Sequence, residues 1–230
     1  MNILCIETST NCCSAAICMD GVAVASRENL VGANHASELP VFIDQLLAEA
    51  EEKSWKIDAI ALSEGPGSYT GLRIGASLAK GLCYGLNVPL IPIDTLQILC
   101  ASMRAQKAIP ENSWLCPMLD ARRMEVYTSF YSPTCLTRQT AVQAMIINEN
   151  AFSEVLMEKK LIFFGNGAEK CKDVILHSNA TFVLDIFPQA KYMGELAETA
   201  QQLDIKQMAY YEPFYLKDFV PAPSHIRGLQ

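Results

Sequence analysis

Carboxyl and hydroxyl side chains cluster at the end of the first apolar run of the chain, where they could hold phosphate. Four of them follow the run "ILCI" directly: Glu7, Thr8, Ser9 and Thr10. A hydroxyl-rich turn after a strand can bind an anion, yet ordinary turn formation explains the same residues equally well. Residues 7–10 are therefore a candidate nucleotide or anion site, with the turn interpretation left open.

A glycine-rich segment, "SEGPGSYTGLRIGASLAKGL" at residues 63–82, is the second candidate. No register supplies G-x-x-x-x-G-K-[ST], so the segment is not a P-loop. Gly65, Gly67 and Gly71 read G-x-G-x-x-x-G, one residue longer than the dinucleotide fingerprint. The loop either presents N–H groups to a ligand, with Ser68 capping the following helix, or is a tight strand-to-helix turn.

The turn "DARR" at residues 120–123 joins two predicted strands and offers paired arginines. Arg122 and Arg123 could bind an anion or a partner's carboxylate. Alternatively, they are exposed charged residues at the tip of a hairpin. Nowhere does the sequence contain H-E-x-x-H, G-x-S-x-G or C-x-x-C. These absences argue against a zinc protease, a serine hydrolase with a nucleophile elbow, and a zinc knuckle, so we assign no catalytic residue and no metal.

Length and charge limit the classes of function. The chain has 230 residues, which suggests one large or two small domains, and its net charge of −7 disfavours a protein that holds nucleic acid alone. Its nine cysteines are an odd number without paired spacing, which indicates a reducing compartment. The start of the chain lacks a basic signal sequence and polar residues interrupt its most apolar region, so we predict a cytoplasmic protein without a membrane span.

The hydrophobic pattern predicts a repeated order of elements. Three strands, the first two split near residues 8–11, precede a helix over residues 37–51 with Ser37 as its cap and Pro40 in its first turn. A strand, the glycine-rich helix over residues 69–85, another strand and a third helix complete the order βββαβαβα. After Pro110 the same order is predicted again, with a weak third strand near residues 136–142, helices over about 149–159, after Gly167 and over 190–202, and a strand at 181–186.

The glycine-rich helix is apolar over about 200° of its circumference, about twice what packing on one sheet requires. Gly71, Gly75, Leu78 and Leu82 fall on one arc of this sector. Each interior glycine costs about 1 kcal/mol relative to alanine, which a close neighbour must offset. That neighbour is either the third helix of the same fold or a second polypeptide, and the sequence leaves both open.

The segments "SEGPGSYTGLRIGASLAKGL", "ILCIETST", "HASELP", "MLDARRMEVY" and "PFYLK" closely resemble the TsaB (YeaZ) proteins of bacteria. The resemblance implies an α/β fold of the actin-like, Hsp70-like ATPase class, built from two RNase-H-like βββαβα halves. It places these halves at residues 1–107 and 108–205, followed by a C-terminal strap at residues 206–230. This expectation agrees with the repeated order of elements.

The resemblance also implies a function. TsaB-like proteins are non-catalytic partners of TsaD, which transfers threonylcarbamoyl to the adenosine next to the tRNA anticodon, with the ATPase TsaE joining the complex. The chain would pair with TsaD, or with a second copy when alone, and meet tRNA only indirectly. The implied interface residues lie on the first two helices: Leu39, Ile43, Leu46, Gly71, Gly75, Leu78 and Leu82. An independent ATP hydrolase or a glycoprotease-like peptidase is the alternative.

Two departures from related patterns bear on cofactors. The TsaD metal motif has two histidines separated by three residues, whereas here Leu39 stands four positions after His35. Actin-like ATPases place glycine where Thr8 follows Glu7, and where Ala121 and Arg122 follow Asp120, so we expect weak or no ATPase activity. No metal is expected, and ATP or ADP at the interface with TsaD is left open.

Overall fold

The computed structural model describes residues 1–32 and 34–217 of the chain. Its first sheet contains five strands in the order β3-β2-β1-β4-β5. The strands and helices of this part of the chain are β1 Asn2–Glu7, β2 Cys13–Met19, β3 Val22–Asn29, α1 His35–Glu52, β4 Ala59–Gly65, α2 Tyr69–Leu86, β5 Leu90–Asp94 and α3 Thr95–Gln106. The predicted order βββαβαβα is confirmed for this half.

The second sheet has the order β10-β9-β6-β7-β8. The longer elements of this half are β6 Ser113–Asp120, β7 Glu125–Thr128, β8 Gln143–Ile146, α4 Ser153–Glu158, β9 Lys160–Phe164, β10 Ala180–Val183, α5 Gly194–Thr199 and α6 Ile205–Ala209. Counted within its own half, each sheet has the strand order 3-2-1-4-5, with the first three strands antiparallel and the others parallel. The two halves therefore share one topology, as predicted.

Several predicted elements of the second half are misplaced. The third strand lies at Gln143–Ile146 and not near residues 136–142. The helix after Gly167 is a single 3₁₀ turn, Glu169–Cys171, and the helix predicted over 190–202 divides into a 3₁₀ turn, Ala190–Tyr192, and α5. Short α6 begins one residue before the predicted strap, so the strap is not extended throughout. Residues 218–230 of the predicted strap lie outside the described residues.

The start of α1 also differs from the prediction. The helix begins at His35 after Asn34, whose side chain makes no capping hydrogen bond, and Ser37 lies inside the first turn, donating to the Asn34 carbonyl at 3.2 Å. Pro40 is the sixth residue of the helix and not a first-turn residue. Because proline has no backbone N–H group, Pro40 adds no unpaired hydrogen-bond donor to the helix.

Successive side chains of the first sheet point alternately to its two faces, and each face is covered by its own helical layer. Leu4 and Ile6 of β1 point towards α1 and α2, whereas Ile3 and Cys5 point towards α3 and residues 190–197. Residues on the other side of α3 pack on the second sheet, so this helix lies between the sheets and joins them. The halves thus meet through α3 on one side and enclose a cleft at the carboxyl ends of β1 and β6.

No helix among residues 1–32 and 34–217 has the length and apolar character needed to cross a bilayer. All nine cysteines belong to these ranges and carry free thiols.

Candidate functional site

A polar cleft of about 780 Å³ opens between the two sheets, and we call it the interlobe cleft. The turn after β1, the start of α2, the turn between β6 and β7, and residues 214–217 form its walls. The polar and charged residues that line it include Ser9, Thr10, Tyr69, Arg122, Arg123 and Lys217. Parallel strands bring their carboxyl ends to one edge of each sheet, which explains why turns distant in sequence meet here.

The turn after β1 contributes less to this cleft than the sequence suggested. Ser9 and Thr10 line it, but Glu7 and Thr8 are fully buried and are not among the lining residues. The Oε1 atom of Glu7 accepts hydrogen bonds from the Ser9 N–H at 2.6 Å and the Ser9 hydroxyl at 2.5 Å. Within the described residues its Oε2 atom has no partner, and burial raises the pKa of this carboxyl from 4.5 to about 7. Glu7 is therefore sequestered rather than presented to a ligand.

Gly67, Gly71 and Gly75 pack against the chain's own β1–β2 turn, whereas Gly65 faces the carbonyl of Phe214. A Cβ atom on Gly71 would collide with the carbonyl oxygen of Thr8, and one on Gly75 with the Thr8 hydroxyl. A Cβ on Gly67 would likewise collide with the Ser9 carbonyl. Assigning Gly71 and Gly75 to a partner interface is therefore wrong, because their open space is already filled from within. Ser68 does cap α2, accepting from the Gly71 N–H at 3.3 Å, as predicted.

Paired charges surround the turn between β6 and β7. Asp120 accepts from the Arg122 N–H at 3.0 Å and forms an ion pair with Lys170. Glu125, at the start of β7, forms an ion pair with Lys217. Arg122 and Arg123 have left-handed backbones, with φ of 69° and 48°, and their exposed guanidinium groups make no ion pair with any residue the structure describes.

Residues 210–217, the described part of the predicted strap that follows α6, connect the two sides of the cleft. The Phe214 N–H donates to the Glu64 carbonyl at 2.7 Å, and the Tyr215 ring lies 4.9 Å from the Tyr69 ring. Lys217 then reaches the second half through Glu125. The sequence predicts a strap here, and "PFYLK" is among the segments that carry the resemblance, but none of these residues is predicted to belong to a site. The aromatic and basic composition of "PFYLK" was the available signal, but nothing local indicated where the segment would lie.

An apolar groove of about 680 Å³ runs between α1 and α2, and we call it the docking groove. Its lining includes Ala36, Pro40, Ile74, Ser77 and Leu78. Leu78 is half-buried there, while Leu82 is half-buried against the core of the first half. Leu39, Ile43 and Leu46 are buried in that core beneath α1, so assigning these three to a partner interface is wrong.

The outward stripe of α2 instead carries Ser77, Gly81, Tyr84 and Gly85. Tyr84 is 76% exposed, and a Cβ atom on Gly81 or Gly85 would meet no atom within 4 Å. On α1, Val41 is 51% exposed. The glycines that allow close approach from outside are therefore Gly81 and Gly85, about two and three turns beyond Gly75.

The interlobe cleft does not fit a metal-bound nucleotide. The carboxylates in its wall, Asp120 and Glu125, already pair with lysines, and Glu7 is buried behind the turn. The turn that would have to admit a phosphate is occupied by Thr8 and Ser9 packed on glycines. Among the described residues no group of three or more metal-ligating side chains comes together, and His35 lies at the start of α1 with Nε2 3.1 Å from the Cys12 carbonyl.

Two halves with the same 3-2-1-4-5 strand order, facing each other across a cleft, define the actin-like ATPase fold class. A family model described as "TsaD: tRNA N6-adenosine threonylcarbamoyltransferase" matches residues 28–223. The chain belongs to this family, in its TsaB (YeaZ) group.

Individual relatives agree with this placement. A Haemophilus influenzae protein named "tRNA threonylcarbamoyladenosine biosynthesis protein TsaB" is 35% identical over 129 residues, or 56% of this chain and 53% of the relative. In that alignment the chain spans about half the length of the relative. A Bacillus subtilis protein of the same name is 28% identical over 181 residues, covering 76% and 75%. The solved structure "YeaZ from Pseudomonas aeruginosa" superposes with a TM-score of 0.74 at 25% identity, covering 94% of this chain and 99% of that one.

Proposed function

We propose that this chain is a non-catalytic, activating subunit for the transfer of threonylcarbamoyl to the adenosine next to the tRNA anticodon. Two of its relatives are named as threonylcarbamoyladenosine biosynthesis proteins, and the family model that it matches is described as the threonylcarbamoyltransferase. A TsaD-type subunit supplies the chemistry, and a TsaE-type ATPase joins the complex. The free thiols of all nine cysteines support a reducing, cytoplasmic setting.

The observation that carries the scaffold role is the docking groove. Apolar side chains of a single-chain protein normally face its interior, whereas here Val41 of α1 and Tyr84 of α2 are exposed, and Pro40, Ile74 and Leu78 line an open groove. Helix faces of this kind pack on helices of a partner with similar shape. The partner is the TsaD-type subunit, whose membership in the same family provides an equivalent helix pair. A second copy of this chain uses the same face when that subunit is missing.

A catalytic role has less support. Glu7, the acid expected of a hydrolase, is buried and engaged by Ser9. ATP or ADP, where it takes part, binds at the junction with the TsaD-type subunit rather than inside this chain's cleft, which does not fit a metal-bound nucleotide. We therefore expect neither ATP hydrolysis nor peptidase activity from the isolated chain.

Substitutions at Gly81 test the docking face. A Cβ atom at this position meets no atom within 4 Å, so we expect Gly81→Trp to keep the fold and to block close approach of a second helix. Gly81→Ala is the matched control, because it removes the glycine but adds only one methyl group. We expect co-purification with the TsaD-type subunit to fail for Gly81→Trp and to persist for Gly81→Ala. Retention of the complex by a folded Gly81→Trp variant would contradict the proposed interface.

A further inference from the structure

We propose that the interlobe cleft binds the phosphodiester backbone of a single-stranded RNA segment directly, through Arg122 and Arg123. This inference rests on the proposed function, which makes tRNA the substrate of the complex. It adds a direct RNA contact by this chain, whereas the sequence resemblance implied only an indirect one.

The balance of charge in the cleft wall is the first argument. The wall contains two carboxylates and three cations: Asp120, Glu125, Arg122, Arg123 and Lys217. Both carboxylates are already neutralised, one by Lys170 and the other by Lys217. Two guanidinium groups are left without an ion pair among residues 1–32 and 34–217. In a chain whose net charge is −7, such a local surplus inside a concave wall attracts an anionic ligand.

The identity of the cations favours a phosphodiester over a metal-bound nucleotide. Nucleoside triphosphates need a divalent ion held by free carboxylates, and the described cleft wall offers none. A phosphodiester carries a single charge and needs no metal. The planar guanidinium of arginine binds two phosphate oxygens at once, and two adjacent arginines can meet successive phosphates of one strand.

Aromatic side chains beside the arginines supply the second requirement for binding single-stranded RNA. Tyr127 lines the cleft on the side of the second half, and the Tyr69–Tyr215 pair lines it on the opposite side. Phe214 lies on the same rim and is 42% exposed. Proteins that bind unpaired nucleotides combine cations for the backbone with aromatic faces on which bases stack. A cleft of about 780 Å³ also has room for a nucleotide unit.

The test measures binding of a fluorescently labelled tRNA transcript to the full chain, alone and with the TsaD-type subunit. The double variant Arg122→Gln/Arg123→Gln should bind roughly tenfold to hundredfold more weakly than wild type. Its log–log salt dependence should be shallower by about 1.4, because each phosphate contact on a single strand contributes about 0.7. The control Lys107→Gln/Lys206→Gln removes the same charge from exposed positions outside the cleft, and should change affinity by less than about twofold.

Three outcomes would overturn the inference. In the first, the arginine variant binds tRNA as wild type does. In the second, both double variants weaken binding equally, which would reveal only a general charge effect. In the third, the arginine variant loses the TsaD-type subunit rather than RNA, which would assign the arginines to a partner's carboxylates. Failure of the proposed function is separate, because it would be seen as undiminished formation of threonylcarbamoyladenosine when this chain is omitted.

Discussion

Glu7 is the residue whose environment has the clearest consequence for pH. Its pKa is about 7 in the folded chain and 4.5 in the unfolded one, so between these values the folded state binds more protons. Stability from this group is fully present below pH 4.5 and is lost as the pH rises through 7, by about 3 kcal/mol. Glu7→Gln should remove that part of the pH dependence. Urea unfolding at pH 5 and at pH 8 measures it.

The exposed substitution Glu52→Gln is the control for this experiment, since it changes the same charge without burial. We expect its free energy of unfolding to follow the wild-type pH profile. If Glu7→Gln also follows the wild-type profile, the Glu7 carboxyl is not buried in its charged form at neutral pH, and the account of the turn fails.

Glycines of α2 divide into two kinds that a single methyl group distinguishes. Gly71→Ala places Cβ against the Thr8 carbonyl, a backbone atom that can shift only at a cost, and should lower the free energy of unfolding by about 3 kcal/mol. Gly81→Ala meets open space and should raise stability by up to about 1 kcal/mol through helix propensity. Thermal or urea unfolding of the two variants measures both changes in the free energy of unfolding. Equal effects would mean that α2 does not pack on the β1–β2 turn as described.

At the scale of elements, the junction between the halves depends on the start of α3. Asp94 caps this helix by accepting from the Leu96 N–H at 2.8 Å, and Tyr131 of the second half donates its hydroxyl to the same carboxylate. Arg138 lies 3.5 Å from the carboxylate on the same side. One aspartate therefore connects a helix of the first half to the second sheet.

Tyr131→Phe tests this junction. The variant keeps the buried ring and removes one hydrogen bond to a carboxylate, so the free energy of unfolding should fall by about 2 kcal/mol. Tyr84→Phe, at a position that is 76% exposed, should change it by less than about 0.5 kcal/mol. A Tyr131→Phe variant as stable as wild type would show that the hydroxyl contributes nothing to holding the halves together.

The accuracy of the predicted elements follows their length and periodicity. The first half is predicted well because α1 and α2 are each 18 residues long and the first hairpin turns at Asp20 and Gly21, both with positive φ. The second half contains four-residue strands and single 3₁₀ turns, which are too short to show a hydrophobic period. Its third strand was therefore placed several residues too early.

For the molecule as a whole, the cleft was partly predictable and the docking face was not. Two turns stand out in the sequence, one for its hydroxyl side chains and one for its paired arginines, and Ser9, Thr10 and Arg122 do line the cleft. A helical wheel shows that α2 is apolar on two sides but not which side faces the chain's own β1–β2 turn. The partner contact of Gly71 and Gly75 that the resemblance implies therefore gives way to a contact with the chain's own Thr8.

We propose that this chain activates a transferase without performing the chemistry itself. This role is tested most directly by measuring threonylcarbamoyladenosine in tRNA after incubation with the threonylcarbamoyl donor and purified subunits. We expect product when the TsaD-type subunit, the TsaE-type ATPase and this chain are combined, and little or none when this chain is omitted or carries Gly81→Trp. Product formed by this chain alone, or undiminished product in its absence, would contradict the account.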